Sequence, residues 1–366
     1  MKKSIIALSA SVVLSVHPGS ASAQTAVTLY GVLDAGIDVQ SPSSSSTAGN
    51  QSSLQSGIST PSRIGIKGVD DVGASLKVLF EIEAGVQIDR GDSSVPGTLF
   101  NRASWVGLSG DFGTVLVGRQ LTPLYNALYS IDPFELGMAG NAGNLMHLGG
   151  GNLNGTTLVG GNNLMLENGG GSTAQNNSLR YNSHDWNGFS TELNYGFASQ
   201  SDSISRGSET GATLYYRNGP LLMLASYDGI NNLNDSHKFQ TTLVGGSIDW
   251  SEFGLPVKTN IGYATNKGTD LIGGALTDSS NLLLGLRIPV GPHEVLFSYI
   301  HNTDNNYGLD ANQIALGYTY ALSNRTTLYS SIGEIFNKNS ANYTLGNASN
   351  TGYGVRGFDL GLRHSF

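Results

Sequence analysis

Leu76-Lys77-Val78-Leu79-Phe80-Glu81-Ile82-Glu83-Ala84-Gly85-Val86-Gln87-Ile88-Asp89 is apolar at every even position, and most residues between are charged or polar. Side chains of a strand point alternately to opposite faces, so a period of two over this length writes a strand with one greasy and one wet face. The same alternation returns in Val27-Leu29-Gly31-Leu33-Ala35-Ile37, Phe189-Thr191-Leu193-Tyr195-Phe197, Ile314-Leu316-Tyr318-Tyr320 and Phe358-Leu360-Leu362-His364-Phe366. Helical spacing is convincing nowhere.

The breaks between these runs come in two lengths. Tight turns are expected at Asp70 to Gly73, Gly110 to Gly113, His184 to Gly188, Arg217 to Pro220, Trp250 to Pro256, Pro289 to Pro292 and Ala321 to Arg325. Between them fall longer Gly/Ser/Asn-rich stretches near residues 40–57, 90–98, 121–176, 200–208, 229–238, 267–278, 303–310 and 337–354. Short turns at one end and long loops at the other describe a transmembrane barrel, and the runs number about 16, the even count that puts both termini at the short-turn end. The expected fold is therefore all-β: a 16-stranded antiparallel transmembrane β-barrel. A secreted β-sandwich also alternates, but it hides its apolar face inward. Trp105, Tyr195, Trp250, Tyr299, Tyr329 and Phe366 near strand ends suit the aromatic girdles of a membrane barrel.

Composition agrees with an exported protein. Lys2 and Lys3 precede an apolar run from Ile5 to Val16, then Pro18-Gly19 and Ala21-Ser22-Ala23, which is the order of a secretory signal. Residues 1–23 are expected to be removed, leaving 24–366 as one barrel domain beginning at Gln24. The apolar run is too short for a spanning helix of roughly 20 residues. Gly is 50 of 366 residues, charged residues are only 13%, and Cys is absent, so neither disulfides nor thiolate chemistry enter. Removing Lys2 and Lys3 takes the net charge from −8 to −10, 17 basic against 27 acidic residues, which speaks against a nucleic-acid surface.

Five stretches resemble one family. They are Val27 to Gly36 (VTLYGVLDAG), Ser62 to Gly68 (SRIGIKG), Asn101 to Leu108 (NRASWVGL), Phe112 to Gln120 (FGTVLVGRQ) and the terminal Gly361 to Phe366 (GLRHSF). In this order they resemble the trimeric general porins of Gram-negative outer membranes, most closely the β-proteobacterial branch. The resemblance implies a homotrimer with three separate pores in the outer membrane, in contact with lipid and lipopolysaccharide. It also implies a third loop folded into the lumen and a terminal Phe366 read by the barrel-insertion machinery.

The stretch from Leu121 to Asn176 is by far the longest connection, and long loops in compact folds usually carry function. Asp132 and Glu135 are its only acids apart from Glu167, and Pro133-Phe134 with Glu135 and Gly137 loosely resembles the family's constriction segment. These two are the expected acidic constriction residues. Arg63 and Lys67 share a face opposite Ile64 and Ile66; Arg102 alternates with Ala103 and Trp105; Arg180 has the parity of Asn182 and His184. A lipid-facing Arg or Lys at midplane costs about 2–4 kcal/mol, so Arg63, Lys67, Arg102 and Arg180 are expected inside, as the basic wall. Arg119 is ambiguous, having the parity of Val115 and Val117. Opposed rows of charge would orient water and polar solutes and penalise apolar ones, giving passive passage of ions and small hydrophilic molecules. The overall acidity leans weakly toward cations.

Other chemistry is weak. Gly352-Tyr353-Gly354-Val355-Arg356-Gly357 has the letters of a dinucleotide fingerprint without its strand-to-helix setting. Asp304 to Asp310 lacks the glutamate and spacing of a calcium loop. The seven His residues make no ligand spacing, and no serine elbow exists. No cofactor or metal is expected. A barrel enzyme would rest on Ser183 and His184 alone, at a turn. A solute-specific channel of the same fold is the remaining alternative, kept open by Tyr125 and Tyr129 in the long loop.

Overall fold

The computed structural model describes residues 26–42, 49–146, 173–198, 205–231, 237–269, 276–346 and 353–366. The signal, the cut before Gln24 and most of the Gly-rich tract of the long loop lie outside the described residues. In chain order the strands are Ala26–Pro42, Gln51–Ser56, Arg63–Gly73, Leu76–Gln87, Asp92–Ser93, Ala103–Gly110, Gly113–Leu121, Ala174–Asn182, Phe189–Gly196, Glu209–Asn218, Leu221–Asn231, Lys238–Asp249, Lys258–Thr269, Leu276–Val290, His293–Asp304, Ala311–Ser323, Thr326–Asn337 and Tyr353–Ser365. Gln51–Ser56 and Arg63–Gly73 pair with successive halves of Ala26–Pro42 and form one wall strand, and Asp92–Ser93 is a two-residue ladder inside a loop. The eighteen segments thus make a closed wall of 16 antiparallel strands.

Closure is made by the first and last strands, paired from Val32↔Ser365 to Pro42↔Tyr353. Phe366 finishes the seam: its N–H donates to Gly31 O (3.1 Å) and its carbonyl accepts from Gly31 N (3.2 Å). With every neighbour paired, no strand edge meets lipid.

The two faces of each strand separate as the alternation requires. Val27, Leu29, Leu54, Val106, Val117, Met223, Val244, Ile261, Leu316, Ile332 and Leu360 are exposed on the outer wall. On the inner face Asp34, Asp38, Asn266, Asn281, Asn302, Gln313 and Asp359 are buried, and buried polar groups need partners. Asn266, Asn281 and Asn302 supply them in series across neighbouring strands, linked at 2.9 and 2.8 Å, and Asn302 donates on to Tyr343 of the last loop at 3.1 Å.

Two local expectations change. The first hairpin turns at Ala74 and Ser75, both at positive φ (52° and 60°), rather than at Asp70 to Gly73, because the strand runs on through a bulge between Asp71 and Gly73. Tyr329 is no girdle residue: it is 1% exposed on the inner face, its hydroxyl donating to Asp34 at 2.7 Å. Trp105 likewise shares the inner register of Glu81 and Gly118. Trp250, Phe253 and Trp186 lie at short turns, and Phe253 and Trp186 are exposed.

Candidate functional site

The described part of the long loop, Thr122 to Met146, begins as helix α1 (Pro123–Ile131). Thr122 caps it by accepting from Tyr125 N–H (3.2 Å), and Pro123 sits where a missing N–H costs nothing. Leu124, Ala127, Leu128 and Ile131 recur at helical spacing and are buried with Leu224, Leu243, Ala264 and Leu283 of the inner wall. That leaves Tyr125, Asn126, Tyr129 and Ser130 on the opposite side of α1.

The loop lies so close to the wall because the wall lacks side chains beneath it. A Cβ added at Gly245, Gly285, Gly317 or Gly333 would come 2.5, 2.7, 2.6 and 2.9 Å from Ile131, Pro133, Phe134 and Ala139 respectively. These glycines stand at inner-face positions of separate strands and form a track that the loop follows around the bore. Polar ties hold its far end: Asn281 donates to Leu145 O (2.9 Å), Asn144 to Gln313 (3.0 Å), and Ala139 N–H to Ser331 (3.1 Å). The tip then meets the inward fold between Gln51–Ser56 and Arg63–Gly73, where Met138 N–H donates to Ile58 O at 2.6 Å.

Ile58 belongs to residues 57–62, which interrupt the second wall strand and fold inward. Asp34 shapes that inward turn, accepting from Ser59 and Thr60 N–H (both 3.3 Å), while Ser62 donates to its carbonyl (2.9 Å). This fixes the approach to Arg63, whose Nη1 donates to Thr60 Oγ1 (3.3 Å) and Pro61 O (3.1 Å).

The expected charged residues are distributed as follows. Arg63 and Arg102 do come together, but on Glu83, at 3.3 and 2.6 Å, rather than opposite the loop acids. Arg102 reaches this inner cluster from just before its strand, where the backbone is not yet in register; Ala103 and Trp105, not the residues between them, continue the inner face. Lys67 lies over the Tyr30 ring (5.0 Å to the centroid), and Tyr30 donates to Glu83 (3.0 Å) and Glu81. Arg180 is buried apart from this group and donates to Leu121 O at the start of the long loop. Arg119 sits at a register break, donating to Asn101 O (2.7 Å) and Asn176.

The acids divide as well. Asp132 is only 2% exposed, which corrects the expectation that it offers its charge to the passage. Its oxygens accept from the N–H groups of Phe134 (3.1 Å), Leu136 (2.9 Å) and Ala142 (3.0 Å), folding the turn in which Glu135, Leu136 and Met138 take positive φ. Burial pushes its carboxyl up to about 6, against the pull of those three donors. Glu135 accepts from Arg287 (2.6 Å) and Tyr129 (3.3 Å). Burial alone would raise its carboxyl, but the Arg287 guanidinium outweighs it and holds Glu135 below the ordinary range. Arg287 is forked by Glu294 as well, at 2.8 and 2.9 Å. Burial, and then Glu135, push the Tyr129 phenol up to about 12, so it stays a neutral donor.

Glu83, Arg287, Arg363 and Asp34 were not among the expected residues. All but Arg287 have a signal in their wet-side parity within runs already read as strands, and Arg287 shares the parity of Leu283, whose covering by the loop only the folded chain reveals.

A closed barrel that is apolar outside and polar inside, with a loop laid along its bore beside a cluster of charge, is a transmembrane pore. The Gram-negative porin family model matches residues 8–340, and the chain belongs to that family. It is 32% identical to outer membrane porin protein 32 of Delftia acidovorans and 28% identical to an outer membrane porin protein of Bordetella pertussis, over the whole of each chain. Its fold matches the anion-selective porin from Comamonas acidovorans with a TM-score of 0.80 at 25% identity, covering 94% of this chain and 100% of that one. The protein is thus an outer-membrane porin of β-proteobacterial type, with the fold and family of a channel rather than an enzyme.

Proposed function

We propose that the pore is a general-diffusion passage for ions and small hydrophilic solutes, narrowed by the inward-folded third loop and leaning weakly toward anions. The observation that carries this is the wall-hugging loop itself, seated on Gly245, Gly285, Gly317 and Gly333 and presenting the exposed Tyr129 and the charged Glu135 on its other side. Leaving out the fully buried Asp34, Asp38 and Asp359, the groups around it are Arg63, Lys67, Arg102, Lys258, Arg287 and Arg363, six basic, against Glu81, Glu83, Glu135 and Glu294, four acidic. The local balance thus opposes the net acidity of the chain, and a lumen reads its near charges first because salt screens the rest beyond about 8 Å. The anion selectivity named for the Comamonas porin agrees in sign. Glu135 and Arg63 serve as the eyelet's opposed charges, Asp132 as the brace behind them, and Arg180 as an anchor at the base of the loop.

The same reading includes a homotrimer inserted after removal of residues 1–23, Phe366 as the insertion signal, and lipid and lipopolysaccharide around the outer wall. Single-channel recording in planar bilayers tests it. Steps that close in thirds are expected, with reversal potentials across a salt gradient that Glu135→Gln moves toward anions and Arg63→Gln toward cations. A folded, inserted protein that conducts nothing would overturn the pore reading.

A further inference from the structure

The geometry points to a weak binding site for aromatic carboxylates at the eyelet, built from the Tyr129 ring and the Arg63 and Arg363 guanidinium groups. This deepens the water-filled pore reading and rests on it. Tyr129 is 40% exposed although it stands inside the bore, and its ring is backed by Tyr125, centroids 6.3 Å apart and planes 25° apart. Its hydroxyl is tied to Glu135 (3.3 Å), and Glu135 to Arg287 (2.6 Å), so the ring has one fixed setting with a face left bare. A fixed aromatic face takes a second ring offset-stacked or edge-on.

Of the two guanidinium groups, Arg63 stands within electrostatic range of the Tyr129 ring, and Arg363 within range of Glu135, to which that ring's hydroxyl is tied. Arg63 spends Nε on Glu83 and Nη1 on Thr60 and Pro61, an arrangement that fixes its plane and leaves Nη2 donors for a guest. Arg363 occupies an inner-face position across from Asp34 and Thr327 and has no ion pair among the described residues. A planar carboxylate accepts well from guanidinium donors, and a ring attached to it would reach the bare tyrosine face. Neutral rings would lack the charged half of the contact, and aliphatic acids the stacked half.

Bi-ionic reversal potentials measure it, with benzoate, cyclohexanecarboxylate and chloride in turn against a common cation. Benzoate should permeate about threefold to tenfold better than cyclohexanecarboxylate, the size of one aromatic pair. Tyr129→Phe, which keeps the ring but loses its tie to Glu135, should lower that ratio yet hold it above unity, Tyr129→Leu should bring it to unity, and Arg63→Gln should lower benzoate more than it lowers chloride, each variant checked for native barrel mobility on a gel. Equal permeabilities in a conducting wild-type channel would overturn this site and leave the general pore standing. A ratio that survives Tyr129→Leu would also overturn it, while absence of conductance would remove both.

Discussion

Asp132 shows how one carboxyl can matter to a pore without facing it. Three backbone N–H groups converge on it, and a turn containing three residues at positive φ depends on their staying there. Its carboxyl, raised from 3.8 to about 6 by burial, favours the protonated form in the docked loop. The stabilisation this gives is fully present below about 3.8 and is lost as pH climbs through about 6. Loop flicker in single-channel records should therefore increase as pH rises from about 4.5 to about 6 and level off above that. Asp132→Asn, neutral throughout, should abolish that dependence, and an unchanged pH profile in the variant would show that another group titrates. Glu135, three residues on, is held below its ordinary range by Arg287 and contributes little change over the same interval.

At the scale of elements, the inner glycines and the third loop are two halves of one packing arrangement. Gly285 and Gly317 lie under Pro133 and Phe134, and Phe134 joins Ile58, Met138, Leu296, Ala315 and Tyr329 in a small apolar cluster against the inner wall. Interiors packed to this density tolerate little added volume, and overpacking costs about 1–3 kcal/mol. Gly317→Leu should lift the loop from its track while the barrel still forms. The expected record is an altered, noisier conductance with an unchanged thermal transition of the β-sheet by circular dichroism. A variant with wild-type conductance would mean that the loop is held by its polar ties alone. Those ties are several, from Asn281, Gln313 and Ser331 on the wall to Ile58 on the inward fold beyond, so the comparison separates two real contributions.

For the whole molecule, closure is the cooperative event. The first and last strands meet only when everything between is in place, and Phe366 is hydrogen-bonded at both its amide and its carbonyl to Gly31 at that seam. Deleting Phe366 should slow refolding into lipid vesicles several-fold and lower the temperature at which the barrel opens, read by the shift in gel mobility on heating; unaltered kinetics would confine the residue to packing. The strands, their greasy and wet faces, the alternation of short turns and long loops, and so the barrel, were legible in the chain before folding, because a period of two and turn chemistry are local properties. Parity alone also placed Arg63, Lys67 and Arg180 on the wet side. Which charges meet was decided only by tertiary structure. Glu83 gathers Arg63 and Arg102, Arg287 takes Glu135, and Asp132 turns inward, because these partners are brought together by barrel register and by a loop that follows the inner wall. Parity fixes the face of a residue, but the height and neighbours of its charge depend on shear and loop path, which no local pattern encodes.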